Sequence, residues 1–168
     1  MAFYIKIWYN VAGEVMYSNE LVCKIIEYLN SNINKEITID ELSMLFYFNR
    51  TYIMKRFKKE LGISINEYIN SIRIYNSLNL FKDNNYFLSI AFKNGFNSLE
   101  YFSETFKKVV GVNPTTYKKY INYKPGIASK EETLILNNIN HITNIKNKAL
   151  DYLSHRKPTI LPTKTFKL

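Results

Sequence analysis

Side chains able to bind anions and base edges recur at helical spacing in two stretches of this chain. Arg50, Thr51, Met54, Lys55 and Lys58 fall on one side of a run whose other side carries Ile53 and Phe57. Leu99, Glu100, Ser103, Glu104 and Lys107 stand in the same way opposite Phe102, Phe106 and Val109/Val110. The chemistry open to such faces is recognition. Arg50 and Lys55 can donate hydrogen bonds to O6 and N7 of guanine, and Thr51 and Met54 can make apolar contact with thymine methyls. Lys58, Lys59 and Arg56 suit phosphate oxygens, as do Lys107, Lys108 and the helix start at Asn97-Ser98. A glutamate such as Glu104 can accept from cytosine N4.

Short elements must position these faces. Gly95-Phe96-Asn97-Ser98 reads as a turn that ends in a helix N-cap, supplied by Asn or Ser. Gly111 closes the helix that follows, and Asn113-Pro114 opens another. Before the turn, Ser89 to Asn94 reads as a short helix ending at Gly95. Short helix, turn and second helix with a polar outer face make a helix-turn-helix, a device that lays one helix in the major groove of DNA. The same shape occurs earlier. Phe57-Lys58-Lys59 with Gly62 matches Phe106-Lys107-Lys108 with Gly111, and Tyr52-Ile53 matches Tyr101-Phe102, all at an offset of 49 residues. Leu42-Ser43 before Tyr47 matches Ile90-Ala91 before Gly95 at an offset of 48, so the second copy has one extra residue in its turn.

Thr38-Ile39-Asp40-Glu41 is a capping box that opens the first unit's short helix, which carries Leu42 and Leu45. Tyr47-Phe48-Asn49 is the turn, and Asn49 caps the helix Arg50 to Leu61. Ser64-Ile65-Asn66-Glu67 is a second capping box, opening a helix to about Phe81 with Ile65, Ile69, Ile72, Leu78 and Leu80 as apolar positions. Such a helix is roughly 27 Å long, and Asp83-Asn84-Asn85 breaks it.

On the pieces IDELS, NRTYIMKRFKKELGIS, EYINSIR, SIAFKNGF and YFSETFKKVVGVNPTTYKK, residues from about 20 to 120 resemble the DNA-binding domain of AraC/XylS-family bacterial transcription regulators. The resemblance implies an all-α domain with a first helix-turn-helix at about 38–62, a connecting helix at about 64–81 and a second unit at about 86–111. It implies that both recognition helices enter successive major-groove segments of double-stranded DNA, about one duplex turn apart. It also implies a sequence-specific regulator, an activator as most of the family are, cytoplasmic, with RNA polymerase as a further partner. The positions that match the family's base-contacting face in the second unit are Leu99, Glu100, Ser103 and Glu104. Family members often carry a basic or amide residue where Glu104 stands. Two carboxylates near phosphates cost several tenths of a kcal/mol or more, roughly. Either the second unit reads a cytosine-containing site, or it contacts mainly backbone and the first unit sets specificity; the charges favour the latter. Members also often have Gly where Tyr47 stands. A Tyr at positive φ is strained, so the turn is expected to differ locally there.

Composition bounds the alternatives. The 168 residues carry a net charge of +9 and 15% aromatics, enough for a core and suited to a polyanionic partner. Residues 20–120 hold 14 Lys/Arg against 10 Asp/Glu, while residues 121–168 hold 8 against 3, so the tail is denser in positive charge. The single Cys23 permits no internal disulfide and no thiolate metal site, and reads as a small buried residue. His141 and His155 stand 14 apart with no companion of metal-ligand spacing, and neither a Gly-rich phosphate loop nor a nucleophile motif is present. No cofactor and no enzyme activity are implied. No apolar run approaches the ~20 residues that would span a membrane. A protein-interaction module on the same scaffold, with weak DNA contact, is the competing reading; Glu100 and Glu104 motivate it.

The flanks are less legible. Residues 3–9 are β-branched and aromatic and read as a strand, whereas Val11 to Ser18 has no clear period. Glu20 to Asn30 reads as a helix with Leu21, Ile25, Ile26 and Leu29 on one face. Only about 19 residues precede the DNA-binding part, which leaves no room there for a sensor domain of ordinary size, so regulation by amount, a partner on the C-terminal helix, or a longer parent chain are the options. Lys124-Pro125-Gly126 reads as a hinge, Ser129 as a cap, and residues from Lys130 to about Ser154 as a helix with a stripe of Ile135, Ile139, Ile142, Ile145, Ala149 and Leu153. That stripe can serve as a homodimer contact or pack back on its own domain. The Pro158 to Leu168 end reads as a basic disordered tail.

Overall fold

The computed structural model describes residues 7–9, 15–82, 86–122 and 130–154. The expected break at Asp83 to Asn85, the hinge at Lys124 to Gly126, the Ser129 cap, residues 3–6, His155 and the basic tail lie outside the described residues. A short antiparallel ribbon, β1 (Ile7–Tyr9) and β2 (Val15–Tyr17), pairs Ile7 with Tyr17 and Tyr9 with Val15. Half of it, β2, falls where the sequence shows no period. Every regular element described beyond it is a helix, and the architecture is all-α.

Helix α1 (Ser18–Ser31) buries Leu21, Val22, Ile25, Ile26 and Leu29. Helix α2 (Ile39–Phe46) starts on the expected capping box: the Glu41 N–H donates to Thr38 Oγ1 at 3.1 Å and the Thr38 N–H to Glu41 Oε2 at 3.4 Å. Its inward pair is Leu42 and Phe46, four apart, rather than Leu42 and Leu45; Leu45 is 46% exposed. Helix α3 (Arg50–Leu61) is capped by Asn49, whose Oδ1 accepts from the Thr51 N–H at 2.7 Å, and it buries Ile53, Phe57 and Leu61. Helix α4 (Ile65–Leu78) opens on the second capping box, with the Ser64 N–H donating to Glu67 Oε2 at 2.8 Å. A single 3₁₀ turn, Asn79–Phe81, continues it to the expected end. Tyr68, Ile74 and Phe81 join its buried face beside the isoleucines read from the sequence.

The second unit consists of α5 (Phe87–Lys93) and α6 (Leu99–Val110). Ser98, one of the two candidates, is the cap of α6: its Oγ accepts from the Tyr101 N–H at 3.1 Å. Helix α7 (Pro114–Asn122) begins at Pro114 beneath an Asn113 whose Oδ1 accepts from the Thr116 N–H at 2.8 Å.

Two cores result. The first gathers α1, α2, α3 and the beginning of α4 around Leu29, Leu42, Ile53, Phe57 and Tyr68. The second gathers the end of α4 with α5, α6 and α7 around Phe81, Phe96, Phe102, Phe106 and Tyr117. Their aromatic rings interlock edge to face and tilted, with Phe81 at 5.1 Å from Phe106 and 5.2 Å from Tyr117. Helix α4 is the one element that starts in the first core and ends in the second.

Helix α8 (Lys130–Ser154) crosses the same two cores in the opposite direction. Ile135 and Ile139 pack on the second core, and Ile145, Ala149 and Leu153 on the first. Ile135, Ile142 and Ala149 are each 1% exposed. Of the two uses open to the isoleucine stripe, packing back on its own domain is the one found. The surface a homodimer contact needed is therefore covered by the chain itself.

Candidate nucleic-acid interface

Helices α3 and α6 each have twelve residues, end in a left-handed glycine, and correspond position for position at the 49-residue sequence offset. Gly62 donates its N–H to Lys58 O at 2.8 Å and Gly111 to Lys107 O at 2.9 Å. Ile53, Phe57 and Leu61 anchor the first helix as Phe102, Phe106 and Val110 anchor the second. Anchoring at every third or fourth residue turns the complementary positions outward.

On α3 the outward set is Arg50, Thr51, Met54, Lys55, Lys58 and Lys59, all exposed. Arg50 at the helix start is ion-paired through Nε to Asp40 of α2, with both side chains more than half exposed. Arg56 does not share this face. Its side chain is only 17% exposed, and Nη2 pairs with Glu60 at 2.6 Å. The reason is angular, since Arg56 lies between the outward lysines and the buried stripe. Its alternative reading as a phosphate contact gives way to a structural one.

On α6 Glu100, Glu104, Lys107 and Lys108 are exposed, and Asn97 before it is too. Ser98 and Ser103 are half-buried, the former engaged as the cap. Leu99 is half-buried as well and packs against the second core, so its side chain leaves the outer face on which the sequence placed it. The two faces differ in charge. Helix α3 holds five basic residues and one acidic, α6 two of each.

Between the units lies a hollow of about 200 Å³ that the sequence did not single out. Asn66, Asn70 and Arg73 of α4 form one wall, and Asn97 and Tyr101 at the start of α6 another. Asn70 Nδ2 donates to Tyr101 Oη at 3.0 Å. Arg73 donates through Nε to Ile33 O at 2.8 Å and through Nη2 to Lys35 O at 2.6 Å, and its guanidinium stands 5.7 Å from the centre of the Phe96 ring. It thus ties the loop before α2 to the second unit. Burial pushes its pKa down from the usual arginine value, while nearby Tyr101 and Glu36 push it up. The signal was available: Asn66, Asn70 and Arg73 recur at helical spacing along one side of α4.

Fold and faces together define a double helix-turn-helix domain, two units on one continuous helix. Residues 42–120 match the family pattern described as a helix-turn-helix domain. The chain is similar to the transcriptional regulatory protein HptR of Staphylococcus aureus, 31% identical over 106 residues that cover 63% of this chain and 42% of that protein. Among solved structures, the C-terminal domain of AraT, a response regulator from Geobacillus stearothermophilus, is similar at 25% identity and a TM-score of 0.57, over 60% of this chain and 84% of that one. The DNA-binding domain of the transcriptional factor AdpA, solved with a target DNA, shares the fold at 17% identity and a TM-score of 0.56, over 63% of this chain and 97% of that one. Residues 42–120 are thus a helix-turn-helix domain, similar to those of AraC-type regulators. The chain spans less than half the length of HptR. Among the described residues no helix is long and apolar enough to cross a membrane.

Proposed function

We propose that this chain is a sequence-specific regulator of transcription that binds double-stranded DNA, with α3 and α6 entering successive major-groove segments. The observation that carries this is the pair of equal-length helices, each with an exposed polar face, both anchored on cores that share α4. The fold is one that AdpA's domain uses on its target DNA. Lys55, Arg50, Thr51 and Met54 are the base-reading set. Lys58 and Lys107 hold phosphates by their own charge, and the Asn97-Ser98 helix start does so with its free N–H groups at the positive end of the helix dipole. Glu100, Ser103 and Glu104 face the second segment, in which a carboxylate can accept only from base amino groups, chiefly cytosine N4. Specificity therefore rests mainly on α3, and α6 contributes register.

Activation is the sign the AraC resemblance suggests, and contact with RNA polymerase is the route. The acidic outer face of α6 favours one other reading, a protein-binding module with weak DNA contact. Selection from a random pool of double-stranded DNA at near-physiological salt separates the two. A bipartite motif whose one half relaxes in Lys55→Ala supports the regulator. Uniform weak binding without a motif removes sequence-specific recognition by this chain. A promoter reporter carrying the recovered site then reads the sign.

A further inference from the structure

Both recognition helices end against α8. A methyl group on Gly111 would meet Asn138 Nδ2 at 2.6 Å and Leu134 at 2.9 Å, and the group nearest Gly62 is Lys148 Nζ at 3.9 Å. Asn138 Nδ2 also donates to Val110 O, the last carbonyl of α6, at 3.0 Å. Asn138 and Lys148 are ten residues apart, about 15 Å of helix. Between them Ile142 is 1% exposed. The α4 side of the contact is held by Lys146 Nζ at 4.4 Å from the Tyr75 ring centre. Helix α8 therefore touches the C-terminal ends of α3 and α6, the ends opposite their Asn49 and Ser98 caps.

One helix through two cores fixes their separation and leaves a twist about its axis. A second helix, antiparallel and seated in both cores, removes that twist. A duplex is sensitive to such a constraint. Each inserted base pair displaces the second half-site by about 3.4 Å and rotates it by about 35°. We propose that α8 is a positioning element that locks the rotation and separation of α3 and α6, and so makes the spacing between half-sites a determinant of specificity. Asn138 and Ile142 are the residues that carry the lock. This inference rests on the DNA-binding reading above.

The test uses the full chain and the bipartite site recovered by selection, together with versions carrying one or two base pairs inserted or deleted between the halves. If the wild-type protein selects no bipartite site, the functional reading fails before any variant is compared. With a site in hand, Ile142→Asp places a charge in the apolar seat of α8. Cys23 reports whether the helix has come away, because this 3%-exposed thiol donates to Tyr152 O of α8 at 3.6 Å. A disulfide reagent should label it faster in the variant. The wild type is expected to lose more than tenfold in affinity for each base pair of mis-spacing. Ile142→Asp should lose less than threefold, while its affinity for an isolated first half-site stays within twofold of wild type. Asn138→Ala should flatten the profile in the same direction, by less, and serves as the sole reading if Ile142→Asp fails to fold. An unchanged spacing profile alongside a faster-labelled Cys23, or in folded Asn138→Ala when it is the sole reading, overturns the proposal. So does a uniform loss on every DNA including the half-site, which makes α8 a stabiliser only.

Discussion

In the first unit the turn between α2 and α3 holds Tyr47 at φ 57°, and in the second the matching place is Gly95 at φ 79°. The sequence led us to expect a local difference at Tyr47, because a bulky residue is strained there. The backbone takes the left-handed conformation regardless. What separates the two turns is what lies over them. Tyr47 is 54% exposed, its ring free to point at solvent. A Cβ on Gly95 would stand 2.8 Å from the backbone of Asn34, in the loop Arg73 holds against the second unit. Glycine is demanded in the second turn by close approach of another segment and only favoured in the first by conformation. The link between helices differs as well. The Asp40–Arg50 ion pair ties α2 to α3, and the equivalent positions in the second unit are Leu88 and Leu99. The first unit thus keeps charge at its recognition surface, and the second draws Leu99 into its core.

The largest effect should come from closing that approach. Gly95→Ala adds left-handed strain of about 1–2 kcal/mol and a clash with backbone that cannot swing away. A total loss of about 3 kcal/mol in denaturant unfolding is expected, against about 1 kcal/mol for Gly62→Ala, where the nearest group among the described residues is a flexible lysine end. Equal losses at the two glycines would break the comparison.

The charge difference predicts the next effect. Lys55→Ala should weaken binding to the selected site by about 1–3 kcal/mol and relax one position of it. Glu104→Ala should leave affinity equal or slightly raised, because it removes a carboxylate from beside the phosphates. Titrations at several salt concentrations sharpen the point. Lys58→Ala should lower the salt slope by about one, as the loss of one phosphate contact requires. A large loss in Glu104→Ala, with a cytosine position relaxed, would move base reading to α6.

Much of this was legible before any coordinates. Both capping boxes, the Asn49 cap, the two C-terminal glycines and the anchors Ile53, Phe57, Phe102, Phe106 and Val110 follow from local rules, because each depends on residues within one or two turns. The misses share a physical cause. Leu45 and Phe46 are adjacent apolar residues on a short helix, and only the position of α1 decides which is buried. Leu99 and Arg56 lie at the edges of their helical faces, where a neighbour's packing overrides the wheel. The hollow around Arg73 joins residues from three segments, and the seat of α8 depends on two cores that no local pattern describes.

A smaller effect is expected at Tyr47. Tyr47→Gly relieves strain of about 1 kcal/mol and gives back about 0.5–1 kcal/mol in backbone entropy of the unfolded chain. The two nearly cancel, and the midpoint in denaturant should shift by less than about 1 kcal/mol equivalent. A destabilisation comparable with Gly95→Ala would show that the Tyr47 ring is held by something other than solvent.

The smallest effect separates the capping boxes of α2 and α4. The Glu67 carboxylate accepts from the Ser64 N–H and hydroxyl, each at 2.8 Å, and these bonds, the backbone one foremost, hold its pKa below the ordinary 4.5, with Lys58 and Lys108 assisting. A depressed folded-state pKa stabilises the fold fully above the unfolded value, and this stability is lost as pH falls through the folded one. Glu67→Gln should therefore lower the unfolding midpoint slightly at pH 7 and leave it nearly unchanged well below pH 4. Because the side chain is exposed, solvent screening keeps the difference small, within the usual surface range of about 0–1 kcal/mol. An equal loss at both pH values would show that the charge of Glu67 is not what stabilises the cap. Glu41 in the first box has a second partner in the Tyr28 hydroxyl, which raises the Tyr28 pKa above its usual value. Glu41→Gln should thus cost more than Glu67→Gln at neutral pH, because it weakens the tie of α1 to α2 as well as the cap.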